Sequence, residues 1–527
     1  MKDGFRQTMA WLHTWSGLVV GWLLFAIFVT GTLAYFRPEI TQWMQPELPR
    51  EGTTAQHAEA AQRYLQDVAP VAQSWFISLP DEREAQLRVF WRELGPDGRF
   101  QRERLDPIDG EPTSARDTMG GDFFYRFHFE LAMPNPWGRY LVGVCAMFML
   151  MAIITGIVTH KKIFKEFFTF RPRKGQRSWL DFHNASSVLA LPFHLMITYT
   201  GLITLMLLYM PWGVEIAYDG YSGALFSEAF PQQQVEPAEV RAPLASLAPM
   251  VAQAEARWGQ EANVSRINVQ YPGDSNATVT LQRGPGQGLS HETDKLRFAG
   301  ASGELLGDSG ALAPAASTRQ LLYGLHVARF APELLRWLFF VSGLSGCLMV
   351  ATGLVLWTVK RRPQQLKSGH VPLGHALIEH LNVAAIAGLP LAITAFFHAN
   401  RLLPVDMAQR ADWEVRIFLA CWLAALIHAL LRAPRPAWIE QLLASAIGCL
   451  ALPVVNLLTT GDHLPAALMR GDGVAVGFDL IVLACGAALA LVARAVHRRG
   501  TEAVPAQEPQ STRRSSTALT NAEARPG

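Results

Sequence analysis

Six stretches of this chain contain no Asp, Glu, Lys or Arg: Gln7 to Phe36, Tyr140 to His160, Phe182 to Val214, Trp337 to Val359, His380 to Asn400 and Gln441 to Gly461. Each is long enough to cross a hydrocarbon core of about 30 Å. Two shorter apolar runs, Ile417 to Leu431 and Gly473 to Ala493 with Asp479 inside it, raise the expected number of spans to eight. In lipid every backbone polar group must be satisfied within the protein, so such segments fold as helices. Charged residues make up 17% of the 527 residues, against about a quarter in a soluble domain. The expected fold is a polytopic α-helical membrane protein of about eight transmembrane helices, in contact with the lipid bilayer.

The net charge of +2 points to no nucleic-acid partner, because the basic residues gather in short loops instead of on one face. Lys161, Lys162, Lys165, Arg171, Arg173, Lys174 and Arg177 fill the connection after the second span, Lys360, Arg361, Arg362 and Lys367 that after the fourth. Arg432 and Arg435 follow the sixth span, and Arg494, Arg498 and Arg499 the last. The positive-inside rule makes all of these cytoplasmic, with both termini inside. The first span ends in Tyr35-Phe36-Arg37-Pro38, without a small-residue cleavage site, and reads as a retained anchor. All five cysteines lie in apolar spans, so the large segments on the outer side have no disulfide and no thiolate metal site.

Those two outer segments share a pattern. In the first, Gln56 to Val68 reads as an amphipathic helix, followed by strand-like Ser74 to Leu79, Gln86 to Glu93 and Phe100 to Leu105. In the second, helical Leu244 to Trp258 precedes strands at Arg266 to Gln270, Ala277 to Gln282 and Leu296 to Phe298. The division expected is a first span over 1–36, an outer domain over 37–126, a second span over 127–162, a basic loop over 163–180 and a third span over 181–212. A second outer domain over 213–325, a fourth span over 326–362, four additional spans over 375–499 and a disordered cytoplasmic tail over 500–527 complete it.

The spans repeat as well. His13 precedes Thr30-Gly31 by eighteen residues to the Gly, and His183 precedes Thr200-Gly201 by the same eighteen. His128 precedes Thr155-Gly156 by twenty-eight and His326 precedes Thr352-Gly353 by twenty-seven, with Arg139 and Arg336 eleven and ten residues after their histidines. In the expected topology His13 and His183 begin outward-going helices at the cytoplasmic edge, and His128 and His326 begin inward-going helices at the outer edge. Each side then holds a pair, and two neutral imidazoles facing one another across a four-helix bundle are what a haem iron requires. Arg139 and Arg336, with Arg126 and Arg329 beside the outer histidines, suit haem propionates or lipid headgroups.

His194 and His160 are reserve ligands. His194 lies eleven residues after His183, on the same helical face about 16.5 Å deeper, and His160 closes the second span. Histidines at membrane edges also cap helices or reach to the interface, and it is the matched offsets that single out the four. His375, His380, His398, His428 and His463 have no matched partner and read as structural or interfacial. Asp479 inside the last span suggests a proton path or a buried partner. Gly284-Pro285-Gly286-Gln287-Gly288 opens no helix, and there is no Walker or HExxH motif, which disfavours dinucleotide binding, ATP-driven transport and metalloproteolysis.

Trp11-Leu12-His13-Thr14-Trp15-Ser16-Gly17, Phe127-His128 with Gly138-Arg139, Asp181-Phe182-His183-Asn184 through Leu191-Pro192-Phe193-His194, and Leu325-His326 through Thr352-Gly353-Leu354-Val355-Leu356-Trp357 resemble the PepSY-associated transmembrane family over residues 5 to 362. The resemblance implies two small α+β PepSY-like periplasmic domains over a four-helix haem-binding core, in the bacterial inner membrane. It implies b-type haem, two groups, and reduction of a ferric siderophore or other ferric chelate with electrons from a quinol or a cytoplasmic reductant. The four additional spans, His160 and His194 depart from the shorter members, so the ligand pairing stays open between these histidines. A non-catalytic membrane protein binding a peptide, protease or other envelope partner is the alternative, and a transporter built from repeated halves is a third reading.

Overall fold

The computed structural model describes residues 4–48, 51–95, 98–160, 169–172, 174–229, 235–259, 262–286, 288–291, 293–308 and 312–501. The expected tail over 500–527 and the lysines 161, 162 and 165 fall largely or wholly outside them. Among the described residues seven helices are long and apolar enough to span a membrane, and a bent pair makes an eighth if it is one span. The repeated half of the chain supplies α1 (Phe5–Ala34), α2 (Arg37–Met44), α3 (Thr54–Val68), α4 (Gly121–Glu130), α5 (Trp137–Thr159), α6 (Gln176–Leu189), α7 (Leu191–Thr204), α8 (Leu247–Trp258), α9 (Pro314–Val327) and α10 (Glu333–Ser368).

Three of the expected boundaries are corrected. The second span is not continuous from residue 127: α4 ends at Leu131, where the backbone turns through left-handed conformations at Leu131 and Ala132, and α5 starts afresh at Trp137. The fourth span likewise begins at Glu333, after α9 has ended in a left-handed turn at Ala328. The third span breaks at Ala190 and bends by 67° between α6 and α7, with Pro192 in the first turn of α7, where its missing N–H has no intrahelical role.

α1 packs against α5 and α10, α10 against α6, and α5 against α7, so the repeated spans form a ring of four. The additional spans are α11 (Leu373–Asn382), continued through a π-helical turn Val383–Ala387 into α12 (Gly388–Leu402), then α13 (Arg410–Leu431), α14 (Pro434–Thr460) and α15 (Gly473–Thr501). Polar bonds that lipid makes costly to leave unmade fasten them to the ring, to the segment before α4 and to one another. Trp22 Nε1–H donates to Asn382 Oδ1 at 2.9 Å, and the Asn382 amide donates to the Leu354 carbonyl at 3.3 Å. Arg410 pairs with Glu414 at 2.6 Å with neither side chain exposed, and Thr118 and Asn400 also donate to Glu414. Asp479 is buried beside Trp43 and Arg401, which gives the acid inside the last span a buried partner.

Beside the membrane bundle the two large connections meet in one antiparallel sheet. Its strands are β1 (Ser74–Ser78), β2 (Leu87–Arg92), β3 (Phe100–Leu105), β4 (Val264–Gln270), β5 (Thr278–Arg283), β6 (Lys295–Ala299) and β7 (Leu305–Asp308), in the order β3-β2-β1-β4-β5-β6-β7. The expected helices and strands are present, but two separate small domains are not. β1 pairs with β4, with Trp75 opposite Val269 and Ile77 opposite Ile267, and the alternate buried residues of both halves share one core beneath α3 and α8. The Gln62 side chain accepts from Leu247 N at 2.8 Å and donates to the Ala245 carbonyl at 3.1 Å, locking α3 to the start of α8. Joining the two halves roughly doubles the apolar layer buried beneath α3 and α8.

Candidate functional site

Four histidines converge in two facing pairs. His13 on α1 and His183 on α6 have ring centroids 6.3 Å apart, and His128 on α4 and His326 on α9 have theirs 6.0 Å apart. The outer two do not begin spans, as the sequence led us to expect; each lies in the last turn of the short helix that precedes one. The rings that meet, His13 with His183 and His128 with His326, are those the repeat pairs. His13 and Gly31, against which His128 rests, are eighteen residues apart on α1, about 27 Å of helical rise.

Each ring is held by the Thr-Gly pair of a neighbouring helix. His13 Nδ1 bonds the carbonyl of Ala152 at 2.8 Å, His183 Nδ1 that of Met349 at 2.9 Å, and His128 Nδ1 that of Ile27 at 2.8 Å. His326 Nδ1 bonds the Thr200 hydroxyl at 3.1 Å. Ala152, Met349 and Ile27 each stand three residues before a Thr of a Thr-Gly pair, whose hydroxyl bonds back into its own helix. The glycine beside each Thr is where the imidazole lies. A Cβ at Gly31 would stand 2.5 Å from His128 Nδ1, at Gly201 2.9 Å from His326 Cε1, at Gly353 3.1 Å from His183 Cε1 and at Gly156 3.2 Å from His13 Cε1. In the sequence the Thr-Gly pairs serve only to mark the repeat within one span. Their use as cradles for the histidine of another span became visible only in three dimensions.

With Nδ1 donating to a carbonyl, a ring is fixed in one orientation and leaves Nε2 as the neutral acceptor, as metal-bound imidazoles do. Two imidazoles on a linear axis with metal–nitrogen bonds of about 2.0–2.1 Å have centroids about 6.4 Å apart. The observed separations fit an ion between each pair. Among the described residues no three His, Cys, Asp or Glu side chains cluster as metal ligands, so the ion would have to bring further donors of its own, as a porphyrin does. The spacing of each pair is that of two axial imidazoles of a haem.

The reserve histidines are not members of the two facing pairs, although His160 lies close enough to His183 to act on its charge. His160 Nε2 is engaged by the Asn184 amide at 2.8 Å. His194 is completely buried on α7, beyond the bend that ends its expected alignment with His183, and neither ring nitrogen has a hydrogen-bond partner of good geometry. It meets Phe28 edge-on at 6.2 Å and lies level with Gly346 of α10. Arg139 pairs with Glu130 at 2.7 Å and Arg336 with Glu39, which also holds Arg83. Both expected propionate partners already have carboxylates.

A cavity of about 1460 Å³ joins the outer pair to the sheet. His128, His326, Gly31 and Gly201 line its membrane end, and Arg266 and Arg283 on the strands line the other. A pocket for one drug-sized ligand occupies about 300–1,000 Å³, so this cavity has room for a macrocycle and a second molecule. Arg329, three residues past His326, faces the cavity while Arg266, Arg37, Tyr125 and Tyr323 surround it. Burial and the two neighbouring guanidiniums hold Arg329 below the usual arginine range. Burial, Arg329, Arg266 and Arg319 push His291 down to about 4. Of this group the sequence singled out only Arg329, because the members come from β4, the β5–β6 connection, α9 and the turn after it, spread over more than sixty residues.

A bundle of membrane spans carrying two facing histidine pairs, with a sheet domain over one end, defines a membrane protein of the PepSY-bearing class. The family described as PepSY-associated TM region matches residues 10–360, and the chain belongs to that family. It is also similar to an uncharacterized protein of Pseudomonas aeruginosa, 27% identical over 414 residues that cover 74% of this chain and 98% of the relative.

Proposed function

We propose that the protein is a b-type haem oxidoreductase of the bacterial inner membrane that passes electrons across the bilayer to a ferric siderophore or other ferric chelate. The observation that carries this reading is the duplicated geometry: two imidazole pairs at metal-bridging separation, each ring oriented by a backbone or hydroxyl acceptor, one pair toward each end of the bundle. Haem bound there would supply one-electron carriage at iron near each membrane surface. The residues around the pairs fix the rings against closely packed glycines, so little reorganisation accompanies a change of charge at the metal. On the positive-inside reading of the basic loops, the His13–His183 pair would face the cytoplasm, where a quinol or a soluble reductant would donate. The sheet and its cavity then lie in the periplasm above His128 and His326. Reduction favours iron release because the harder ferric ion prefers oxygen ligands more strongly than the ferrous ion does.

The test is a reduced-minus-oxidised spectrum with haem stoichiometry on the detergent-extracted protein, beside His13→Ala, His128→Ala, His183→Ala and His326→Ala. Two haems in the wild type and one in each variant are expected. A colourless wild type refutes the proposal, and full retention in all four variants moves the ligands to other side chains.

A further inference from the structure

α4 and α9 are two copies of one element, each carrying an outer histidine in its last turn, yet they are not covered alike. Phe123, Phe124 and Phe127 stand five, four and one residues before His128, and all three are buried. They close on aromatic rings of the additional spans. Phe123 lies 4.7 Å from Phe396 and 4.9 Å from Phe418, Phe124 lies 5.4 Å from Phe396, and Phe127 lies 5.5 Å from Phe418. Stacked and edge-on rings at such separations hold an orientation as well as burying area. The same three places before His326 hold Leu321, Leu322 and Leu325, none of them buried and Leu321 38% exposed. α9 packs instead on α7 and meets the β5–β6 connection, where His291 N donates to the Gln320 carbonyl at 3.1 Å.

The chain that enters α4 is fastened by the same spans. Arg410 donates to the Asp117 carbonyl at 3.0 Å, Arg116 to the Asn400 carbonyl at 3.0 Å, and the Thr118 hydroxyl to Glu414. Arg116, Thr118, Arg410 and Glu414 are all buried, so none of these bonds can be exchanged for water without cost. A helix gripped along one face and at its approach can neither roll nor slide, and that fixes the side chains on its free face, where Tyr125 and His128 line the cavity. Resting on the reading of the outer pair as a haem site, we infer that the four additional spans act as a clamp on α4, with Phe396, Phe418, Arg410 and Glu414 as positioning residues that set the ring of His128. His326, on the uncovered copy, is the ligand that adjusts. The outer pair thus joins one rigid and one compliant imidazole.

Two measurements on the detergent-solubilised full chain test this. Hydrogen–deuterium exchange read by mass spectrometry compares peptides from α4 with peptides from α9, and it needs no haem. In the wild type α4 should exchange at least tenfold more slowly than α9. Phe418→Ala should raise exchange in α4 at least tenfold and leave α9 unchanged. The second measurement is the ferric EPR spectrum, because the g anisotropy of a low-spin haem follows the angle between its two imidazole planes. That angle is 32° in the outer pair and 64° in the inner, so the sites give separate signals, and Phe418→Ala should shift one of them alone. Phe418→Leu, which keeps more of the ring's volume, should show both effects to a smaller degree and serves if the alanine variant does not fold. Gln441→Leu is the control: it removes a buried bond of 2.7 Å to the Ala425 carbonyl within the same spans and should move neither readout. Equal exchange in wild-type α4 and α9 overturns the inference. So does a Phe418→Ala effect shared by both helices or both signals, or an equal effect of Gln441→Leu. A wild type without haem refutes the reductase reading and leaves the exchange comparison to decide the clamp by itself.

Discussion

Replacing Gly31 by alanine tests the cradle beneath the outer pair directly. The new Cβ would stand 2.5 Å from His128 Nδ1 and 2.6 Å from Cε1, whereas unstrained carbon contacts lie at about 3.5–4.0 Å. The ring must retreat by about 1 Å. Its Nδ1 now lies 2.8 Å from the Ile27 carbonyl, and a retreat of that size takes the pair beyond the range of about 2.7–3.2 Å in which an N–H···O bond is strong. A buried donor or acceptor left unmade costs about 1–3 kcal/mol, a factor of about 5–150 in affinity for whatever the ring ligates. Gly156→Ala is the matched control, because its Cβ would meet His13 Cε1 at 3.2 Å and a shift of a few tenths of an ångström relieves it. The assay is the rate of haem transfer to an acceptor apoglobin, read as two phases for two sites. In Gly31→Ala one phase should accelerate about 5–150-fold, and in Gly156→Ala neither should change by more than a few fold. Equal effects of the two substitutions, or a larger one at Gly156, would refute the contact argument.

Three further outcomes are expected. Asn382→Leu removes both the acceptor for Trp22 and the donor to Leu354, and should lower stability by about 1–3 kcal/mol, since the indole N–H is left without a partner; a fluorescence melt reads it. Arg410→Met leaves Glu414 buried without its 2.6 Å partner and should cost about 3–5 kcal/mol, whereas Glu414→Gln, whose amide oxygen still accepts from Asn400 while its NH2 donates to the Thr118 hydroxyl, should cost less; folded yield on size exclusion orders the two. His291 is held down to about 4 in the folded protein against about 6.5 when unfolded, so the unfolded chain takes up the proton first. Its contribution is complete above pH 6.5 and falls away as the pH drops toward 4. His291→Asn should flatten the melting temperature over that window, and an unchanged slope there would refute the assignment.

Much of the site was legible in the sequence because the repeat is carried by rare residues at fixed offsets. His13, His128, His183 and His326 are sorted into facing pairs by nothing more than span direction, and the fold obeys this. What failed were statements that assumed a continuous helix. His194 was aligned with His183 by counting residues, but a bend at Ala190 turns α7 away, and no pattern of apolar residues records an angle between two helical segments. His128 and His326 were placed at the starts of spans because helix ends in an apolar run are invisible until a left-handed turn, at Leu131 or Ala328, is seen to end one helix before the next begins.

The sequence by itself determined the number of spans, the two helix-and-strand segments and the identity of the four facing histidines, since these depend on local composition and periodicity. Tertiary structure alone decided that β1 pairs with β4 to make one sheet from two segments, that each Thr-Gly pair cradles the histidine of another helix, and that Arg266, Arg319 and Arg329 come close enough to act on His291. These are contacts between residues far apart in the chain, chosen by how apolar faces close on one another and by which buried polar groups can be satisfied, and a one-dimensional pattern holds no record of that choice.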